Sequence, residues 1–579
     1  MKSEIQKFFK GEVEDDEETL VKYSHDASLL EVRPKLVLFP KDSEDVKNLV
    51  KWVSENKDKY EDPERNKDWA NLSITARCAG TDMSGGAIGE SIILDFTKHM
   101  NKLIGFPPSP LQGEGWGEVN PSITVQPGMF YRDFEKITLE KGLILPCFTA
   151  SKSINAMGGM FGNNSAGERT LKYGQTENYI LSAKVIFADG AERTVKPVSL
   201  NEISRQEEIY AKIYDLIKKN KEEIELAKPK VRKNSAGYYL WNVIHGNIFD
   251  LNKLLVGSQG TLGIATEITF KLMPNNKHSK LVAIFMNDLT PLGHLVDEIL
   301  TLDPETLEAY DDKTMRLAVK FFPDFFKNKG FIGMIKFMWS FLPEFFMMLS
   351  SPWGGFPKLI LLAEFAGADE IEVHNKCMAL AERIKNFKLK VHITKSEAEA
   401  DKYWNIRRES FALLRKHVKG MQTAPFIDDI IVRPEFLPKF LPELNIVLNK
   451  YNLTYTLAGH AGDGNFHIIP LMDFSRSDMA KIILELSEKV YNLVAKYRGS
   501  ITAEHNDGLI RTPYLSKMYN EKMIEIFKEI KEIFDPKNIF NPGKKVPVQN
   551  EGDPADDGAG TKEYITKHIA IEHKFGHKV

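Results

Sequence analysis

Residues 77–87, Arg-Cys-Ala-Gly-Thr-Asp-Met-Ser-Gly-Gly-Ala, form a glycine-rich stretch between two β-prone runs, Ser73 to Arg77 and Ser91 to Asp95. The segment Ala79, Gly80, Thr81, Asp82, Met83, Ser84, Gly85 and Gly86 is small enough for the backbone to approach a ligand. Successive N–H groups of such a loop can face one anionic group, which is how a diphosphate is held. It is no Walker loop, because no Gly-Lys-Ser/Thr follows, and it lacks the G-x-G-x-x-G spacing that opens a helix. A lone glycine-rich loop between strands is more often a turn.

Two further segments change that weighting. Met157 to Gly167 contains Gly158, Gly159, Gly162, Asn163, Asn164 and Ser165, and Lys172-Tyr173-Gly174 follows it. Gly257 to Ile264 contains Gly260, Thr261, Gly263 and Ile264 and leads into a strand. Three such segments in one domain suit a large, flat, phosphate-bearing cofactor held by backbone donors.

Around these loops the first half of the chain alternates β-runs with helical patterns. Strands are expected at Leu36 to Phe39, Ser122 to Val125, Ser182 to Phe187 and Gly263 to Leu272. Val46, Leu49, Val50 and Val53 repeat at helical spacing behind a cap at Asp42 or Ser43. After Met273 the pattern restarts, with strands at Leu281 to Phe285, Leu359 to Glu364, Val391 to Thr394, near Ile430, at Leu453 to Leu457 and at Phe466 to Ile469. Helices are expected near Leu292 to Leu300 and along Ile483, Leu486, Val490, Leu493, Val494 and Tyr497, with Ser477 as cap and Gly499 as stop. The expected fold class is α+β, divided as 1–30 N-terminal segment, 31–275 cofactor domain, 276–545 second domain and 546–579 mobile tail. Pro107 to Pro121 reads as a loop insertion.

Composition excludes several classes. Net charge is -3 over 579 residues, which leaves no basic footprint for nucleic acid. Cys78, Cys147 and Cys377 lie far apart, so neither a disulfide framework nor an iron–sulfur or thiolate zinc site fits. The acidic start, MKSEIQKFFKGEVEDDEE, has no apolar leader core, and the expected location is cytoplasmic. Phe321 to Phe356 is dense in Phe, Met and Trp, but Lys336, Pro343 and Glu344 break it short of the ~20 apolar residues a spanning helix needs. It reads either as an insertion folded over its own domain or as an interfacial anchor or partner-docking surface.

His460-Ala-Gly-Asp-Gly-Asn-Phe-His467 lies between two strands, and Asp463-Gly464 is a strong hairpin-turn signal. With those two residues at the turn's centre, His460 faces His467, and directly opposed beta carbons ~4.5 to 5.5 Å apart let two imidazoles reach one ion. Glu504-His505 follows a short β-prone run. A carboxylate with two imidazoles is a normal set for zinc, manganese or iron(II). Arg407 and Arg408 follow Trp404 on a helical pattern, where adjacent residues point about 100° apart and one can supply a planar fork for a carboxylate.

Arg77 to Ala87, the Gly-Gly-Met-Phe-Gly-Asn-Asn-Ser segment, Gly257 to Ile264 and Phe534 to Lys544 together resemble the FAD-linked oxidases and dehydrogenases of the vanillyl-alcohol-oxidase type (PCMH-type FAD domain). The D-lactate, glycolate and D-2-hydroxyglutarate dehydrogenase branch matches best, from about Tyr23 to Val546. The resemblance implies a two-subdomain FAD-binding domain, a ferredoxin-like α+β substrate domain, and a flavin ring where the two domains meet. It implies FAD against the three loops and Asn541, held non-covalently because Thr81 stands where covalent members have histidine. Cys147 lacks the bicovalent motif and reads as a structural thiol. His460, His467 and Glu504 match the family's metal ligands, His505 its catalytic base and Arg407 its substrate-carboxylate arginine.

Three departures stand. Gln259 replaces a usual glutamate, Glu-His-Asn-Asp-Gly replaces Glu-His-Gly-x-Gly, and the lysine expected beyond Arg407 is not recognisable in Pro425 to Asp429. The expected activity is FAD-dependent, metal-assisted oxidation of a D-2-hydroxy acid to the 2-oxo acid. Relatives often continue into a cysteine-rich iron–sulfur region, so the expected electron acceptor is a separate iron–sulfur subunit or quinone, with a peripheral membrane contact through residues 321–356. The alternatives are a flavin-bearing electron-transfer or scaffold subunit and a transferase resembling alkyl-dihydroxyacetonephosphate synthase.

Overall fold

A computed structural model describes residues 1–60, 72–106, 121–320, 356–417, 421–547 and 561–570. The loop insertion before Pro121, the insertion at 321–355 and most of the tail lie outside the described residues. Two units form: Met1–Gly167, Tyr173–Asn275 and Ser500–Glu572 make the first, Glu168–Lys172 and Asn276–Gly499 the second.

The first unit holds a four-stranded sheet in the order Glu12–Glu14, Leu36–Phe39, Ile92–Asp95, Ile74–Arg77. The two pairings made by Ile92–Asp95, with Leu36–Phe39 and with Ile74–Arg77, are parallel, whereas Glu12–Glu14 joins Leu36–Phe39 antiparallel; Leu36–Phe39 and Ile92–Asp95 are buried along their whole length, as parallel strands usually are. Helix Ser43–Asn56 covers the sheet. Asp42 caps it by accepting from the Asp45 amide at 3.0 Å, and Val46, Leu49, Val50 and Val53 are fully buried. A five-stranded antiparallel sheet follows, ordered Leu103–Gly105, Ser122–Val125, Ile264–Lys271, Ile180–Ile186, Glu192–Val195.

Packing crosses three of the expected boundaries. Within residues 1–30, Ile5, Phe9 and Val13 sit in the same core as Leu36, Val50 and Ile74. Residues 500–545 return to the first unit, because Phe540 bridges Ile74 and joins that core with Ile539. The tail contains a docked element: Thr561 caps helix Lys562–Lys567, the Glu31 amide donates to the His568 carbonyl at 2.7 Å, and Tyr564, Ile565 and Ile569 are buried.

In the second unit, His278–Met286, Leu292–Leu300, Thr306–Asp311, Leu359–Gly367, Glu370–Arg383 and Lys390–Ile393 run β-α-β-β-α-β. The strands are antiparallel and lie in the order fourth, first, third, second, which is the ferredoxin-like arrangement. Thr306–Asp311, which no sequence pattern announces, continues the sheet into the hairpin Thr454–His460 and Asn465–Met472. Helix Met479–Lys496 forms as expected, but Ser477 does not cap it: Asp478 holds that position, its carboxylate bound by Arg476. At its end Arg498 takes the left-handed conformation and Gly499 donates to Val494 at 3.0 Å. Among the described residues no helix is long and apolar enough to cross a membrane.

The docked C-terminal helix gives a stability test. Ile565→Ala removes a side chain only 2% exposed and is expected to cost about 2–4 kcal/mol in denaturant unfolding. A midpoint equal to wild type would show that the segment does not contribute to the fold.

Candidate functional site

In the first unit, the Ala79–Met83 stretch is half-buried, and among the described residues the amides of Gly80, Thr81, Asp82 and Met83 donate to no protein acceptor. Gly80 adopts φ +65°, and a Cβ there would stand 2.2 Å from the Arg77 guanidinium, so the loop depends on glycine at that point. Asp82 folds the loop back: one carboxylate oxygen accepts from the amides of Ser84 (3.1 Å) and Gly86 (2.6 Å) and from the Ser84 hydroxyl (2.8 Å). The other accepts from Asn163 Nδ2 at 2.8 Å, tying the first glycine-rich loop to the second.

Gln259 draws in the third loop. Its Nε2 donates to Ser84 Oγ and Asn163 Oδ1, both at 3.3 Å, its Oε1 accepts from the Gly508 amide at 2.9 Å, and its carbonyl accepts from Asn541 Nδ2 at 2.7 Å. The glutamine that departs from the usual glutamate is thus both a donor and an acceptor.

Not all of the residues expected to touch a cofactor have side chains open to one. Asn541 accepts from Thr75 and Lys544 and donates to Gly86 and Gln259, Thr261 Oγ1 bonds Ser258 and Tyr238, and Ile264 belongs to the hydrophobic core. These three side chains are thus engaged within the protein itself. Gly158 and Gly263 are also packed, with a Cβ meeting Pro127 and Val185 respectively at under 3 Å. Gly159 and Gly162 are open, since a Cβ at Gly159 meets nothing within 4 Å and one at Gly162 meets only Gln259 Cα at 3.9 Å. Ser165 gives its carbonyl to Thr176, Tyr173 gives its carbonyl to Tyr179, and Gly174 and Gly260 take positive φ at their turns.

Asn164 is 1% exposed, and its Nδ2 is buried with no partner among the described residues. An unanswered amide donor of this kind calls for an acceptor from a bound group. With the amides of residues 80–83 it makes the first unit chemically suited to a cofactor bearing phosphate and carbonyl oxygens. Cys147 is fully buried, its thiol pushed up to about 12 by that burial, which agrees with a structural role.

The Asn506 departure has a structural account. Asn506 sits at φ +69°, a conformation that glycine takes freely and asparagine tolerates, and its side chain donates to Gly257 (2.8 Å) and Asn163 (3.2 Å). The segment carrying Glu504 and His505 is thereby fixed to the glycine-rich loops. Glu504 is 6% exposed and pairs with buried Lys233 at 2.9 Å, a partner that sequence reading did not single out. His505 is half-buried.

In the second unit the hairpin register differs from expectation. The connection is Ala461 to Gly464, so His460 pairs with Asn465 and His467 with Ala458. The shift is by two positions, and side chains alternate with period two, so both imidazoles still share one face. They are diagonal neighbours, with ring centroids 5.3 Å apart. Gly464 is required at this turn, since it has φ +79° and a Cβ would lie 1.8 Å from the Val432 carbonyl oxygen.

Each imidazole is held through Nδ1. Glu308 Oε1 bonds His460 Nδ1, and Asp428 Oδ1 bonds His467 Nδ1 at 3.1 Å, both carboxylates being 1% exposed or less. A histidine whose Nδ1 donates to a carboxylate presents a lone pair at Nε2, the usual preparation for ligating a metal. The donor chemistry therefore fits a divalent ion. Glu308 Oε2 also accepts from Arg407 Nε at 2.9 Å. Arg408 does not face solvent alone: it forks onto Glu168 at 2.5 and 3.1 Å and stacks on Trp404. His460 and His467 thus belong to the second unit, whereas Glu504 and His505 belong to the first.

The pattern of the FAD binding domain family matches residues 34–196, and that of the FAD linked oxidases, C-terminal domain, matches residues 275–545. The chain belongs to the FAD-linked oxidases. This FAD-linked oxidase is 24% identical over 542 residues to a D-2-hydroxyglutarate dehydrogenase of Escherichia coli, covering 91% of this chain and 49% of the relative. It is 26% identical over 528 residues to glycolate oxidase subunit GlcD of Bacillus subtilis (90% and 91% covered) and 24% identical over 536 residues to a D-lactate dehydrogenase of Anaerostipes hadrus (90% and 92%). The chain thus spans about half the length of the E. coli relative. Among solved structures, p-cresol methylhydroxylase superposes with a TM-score of 0.63 at 16% identity, covering 93% of this chain and 95% of that one. Alkyldihydroxyacetonephosphate synthase gives 0.61 at 15% identity, covering 93% and 84%. These two likenesses show the fold.

Gln259→Ala in this FAD-linked oxidase removes the amide that joins the loops and leaves the buried Gly508 amide unanswered, a loss of about 1–3 kcal/mol. FAD affinity, measured by titrating flavin into stripped protein, is expected to weaken tenfold or more. Unchanged affinity would show that the three loops hold the cofactor independently of Gln259.

Proposed function

We propose that the chain oxidises a D-2-hydroxy acid of the lactate, glycolate or 2-hydroxyglutarate class to the 2-oxo acid and passes the electrons to a separate acceptor. The carrying observation is the pair of imidazoles on one face, each backed at Nδ1 by a buried carboxylate, with an arginine on one of those same carboxylates. The names of the three curated relatives support the substrate class. FAD, when bound, supplies the two-electron acceptor for hydride from the carbon bearing the hydroxyl. A divalent metal, Zn, Mn or Fe(II), held by His460, His467 and Glu504, would polarise the hydroxyl and carboxylate oxygens of the substrate.

His505 is assigned the hydroxyl proton, as general base. Arg407 binds the substrate carboxylate, for which a planar guanidinium offers paired donors. The loops at Ala79–Gly85, Gly158–Ser165 and Gly257–Ile264 bind FAD non-covalently, through backbone donors and Asn164. Asn506 keeps the His505 segment fixed to those loops through Gly257 and Asn163.

Anaerobic mixing of metal-replete flavoprotein with D- and L-lactate, glycolate and D-2-hydroxyglutarate tests the reading. Bleaching of the flavin absorbance is expected with a D-2-hydroxy acid or glycolate, and none with any of them would refute it. His505→Ala is expected to keep its flavin and slow the bleaching by about 10²–10⁴-fold. A rate within threefold of wild type would remove His505 from the proton transfer.

A further inference from the structure

Glu308 lies in the middle of Thr306–Asp311 with its side chain 1% exposed, and its two oxygens serve different partners. Oε1 takes His460 Nδ1, whose side chain is 8% exposed, and Oε2 takes Arg407 Nε, whose side chain is 15% exposed. A carboxylate buried this deeply needs both oxygens answered, so its position is set by the two contacts together. Each contact also fixes a geometry. Donation from Nδ1 fixes the His460 tautomer and leaves Nε2 as the ligating nitrogen. Donation from Nε fixes the plane of the Arg407 guanidinium and with it the direction of its terminal N–H groups.

We propose that Glu308 is a positioning residue that couples metal binding to substrate binding: one carboxylate sets both the His460 tautomer that a divalent metal needs and the guanidinium plane with which Arg407 meets the substrate carboxylate. The inference rests on the functional reading above and adds a residue to it. It follows from acceptor count alone. A glutamine at 308 has nearly the same shape but only one oxygen, and its NH₂ cannot accept a hydrogen bond. It therefore fails one partner outright, and the remaining contact loses the charge that strengthens it.

Glu308→Gln is tested in the flavin-loaded full chain with two readings. Mn²⁺ affinity is measured by titration calorimetry on metal-free protein without substrate, and KM and kcat are measured with whichever 2-hydroxy acid reduces the wild-type flavin. The expected result is a fall in Mn²⁺ affinity of about 10–100-fold, in the range seen when outer partners of metal ligands are removed, together with a tenfold or greater rise in KM. Both values within twofold of wild type would reduce Glu308 to a buried structural counter-charge, and a change in only one of them would overturn the coupling.

If Glu308→Gln does not fold, Arg407→Met carries the test from the other side. Removing the guanidinium frees one anchor of Glu308, so Mn²⁺ affinity without substrate is expected to drop at least threefold. Unchanged affinity overturns the proposal. Wild-type protein that reduces flavin but binds no Mn²⁺ or Zn²⁺ also overturns it and leaves hydroxy-acid oxidation standing. Wild-type protein that binds metal but bleaches with no 2-hydroxy acid overturns the functional reading instead, and the metal titration of the two variants still decides the His460 half of the coupling.

Discussion

The carboxylate of Asp82 accepts four hydrogen bonds, from the Ser84 amide and hydroxyl, the Gly86 amide and Asn163 Nδ2, and the first unit is arranged around that fact. A half-buried charge in a glycine-rich loop needs such compensation. By taking the amides of Ser84 and Gly86, Asp82 bends the loop so that those of Gly80 to Met83 are left to other acceptors. Gln259 extends the same set of bonds to the second and third loops and to Gly508. Loops that glycine makes locally flexible are thereby held in one arrangement by side chains that are not glycine.

The second unit obeys the same constraint with the opposite emphasis. There two of the buried carboxylates, Glu308 and Asp428, are each answered by an imidazole nitrogen that a metal does not need. Satisfying the acid prepares the ligand. Nearby, Glu305, Glu168 and Glu364 share the neighbourhood of Arg169 and Arg408, and burial together with the Glu305 and Glu168 charges pushes the Glu364 carboxyl up to about 7. The unit therefore carries several buried acids, and among them Glu308 and Asp428 hold the paired histidines.

Much of this was legible in the sequence where the signal is local. The strands around the glycine-rich loops, helix Ser43–Asn56 and helix Leu292–Leu300 follow from periodicity and caps, because a helix or strand writes its period into neighbouring residues. The two histidines were placed on one face despite the wrong turn, since an even register shift preserves the side-chain alternation. Thr306–Asp311 was not seen: its Glu308 interrupts the apolar pattern, and only burial beside His460 and Arg407 explains an acid there. Glu308 and His460 are 152 residues apart, and Lys233 and Glu504 are 271 apart, so neither pairing leaves a local trace. The return of residues 500–545 to the first unit is equally silent, because Phe540 looks like any apolar residue until it meets Ile74.

The central claim is that a metal on these histidines assists flavin reduction by a hydroxy acid. It is tested most directly by rapid anaerobic mixing of the flavoprotein with its best 2-hydroxy acid before and after metal removal by a chelator, followed by restoration with Mn²⁺ or Zn²⁺. The account expects bleaching to slow at least a hundredfold on removal, with flavin retained, and to recover on restoration. Bleaching at an undiminished rate in fully metal-free protein would contradict it.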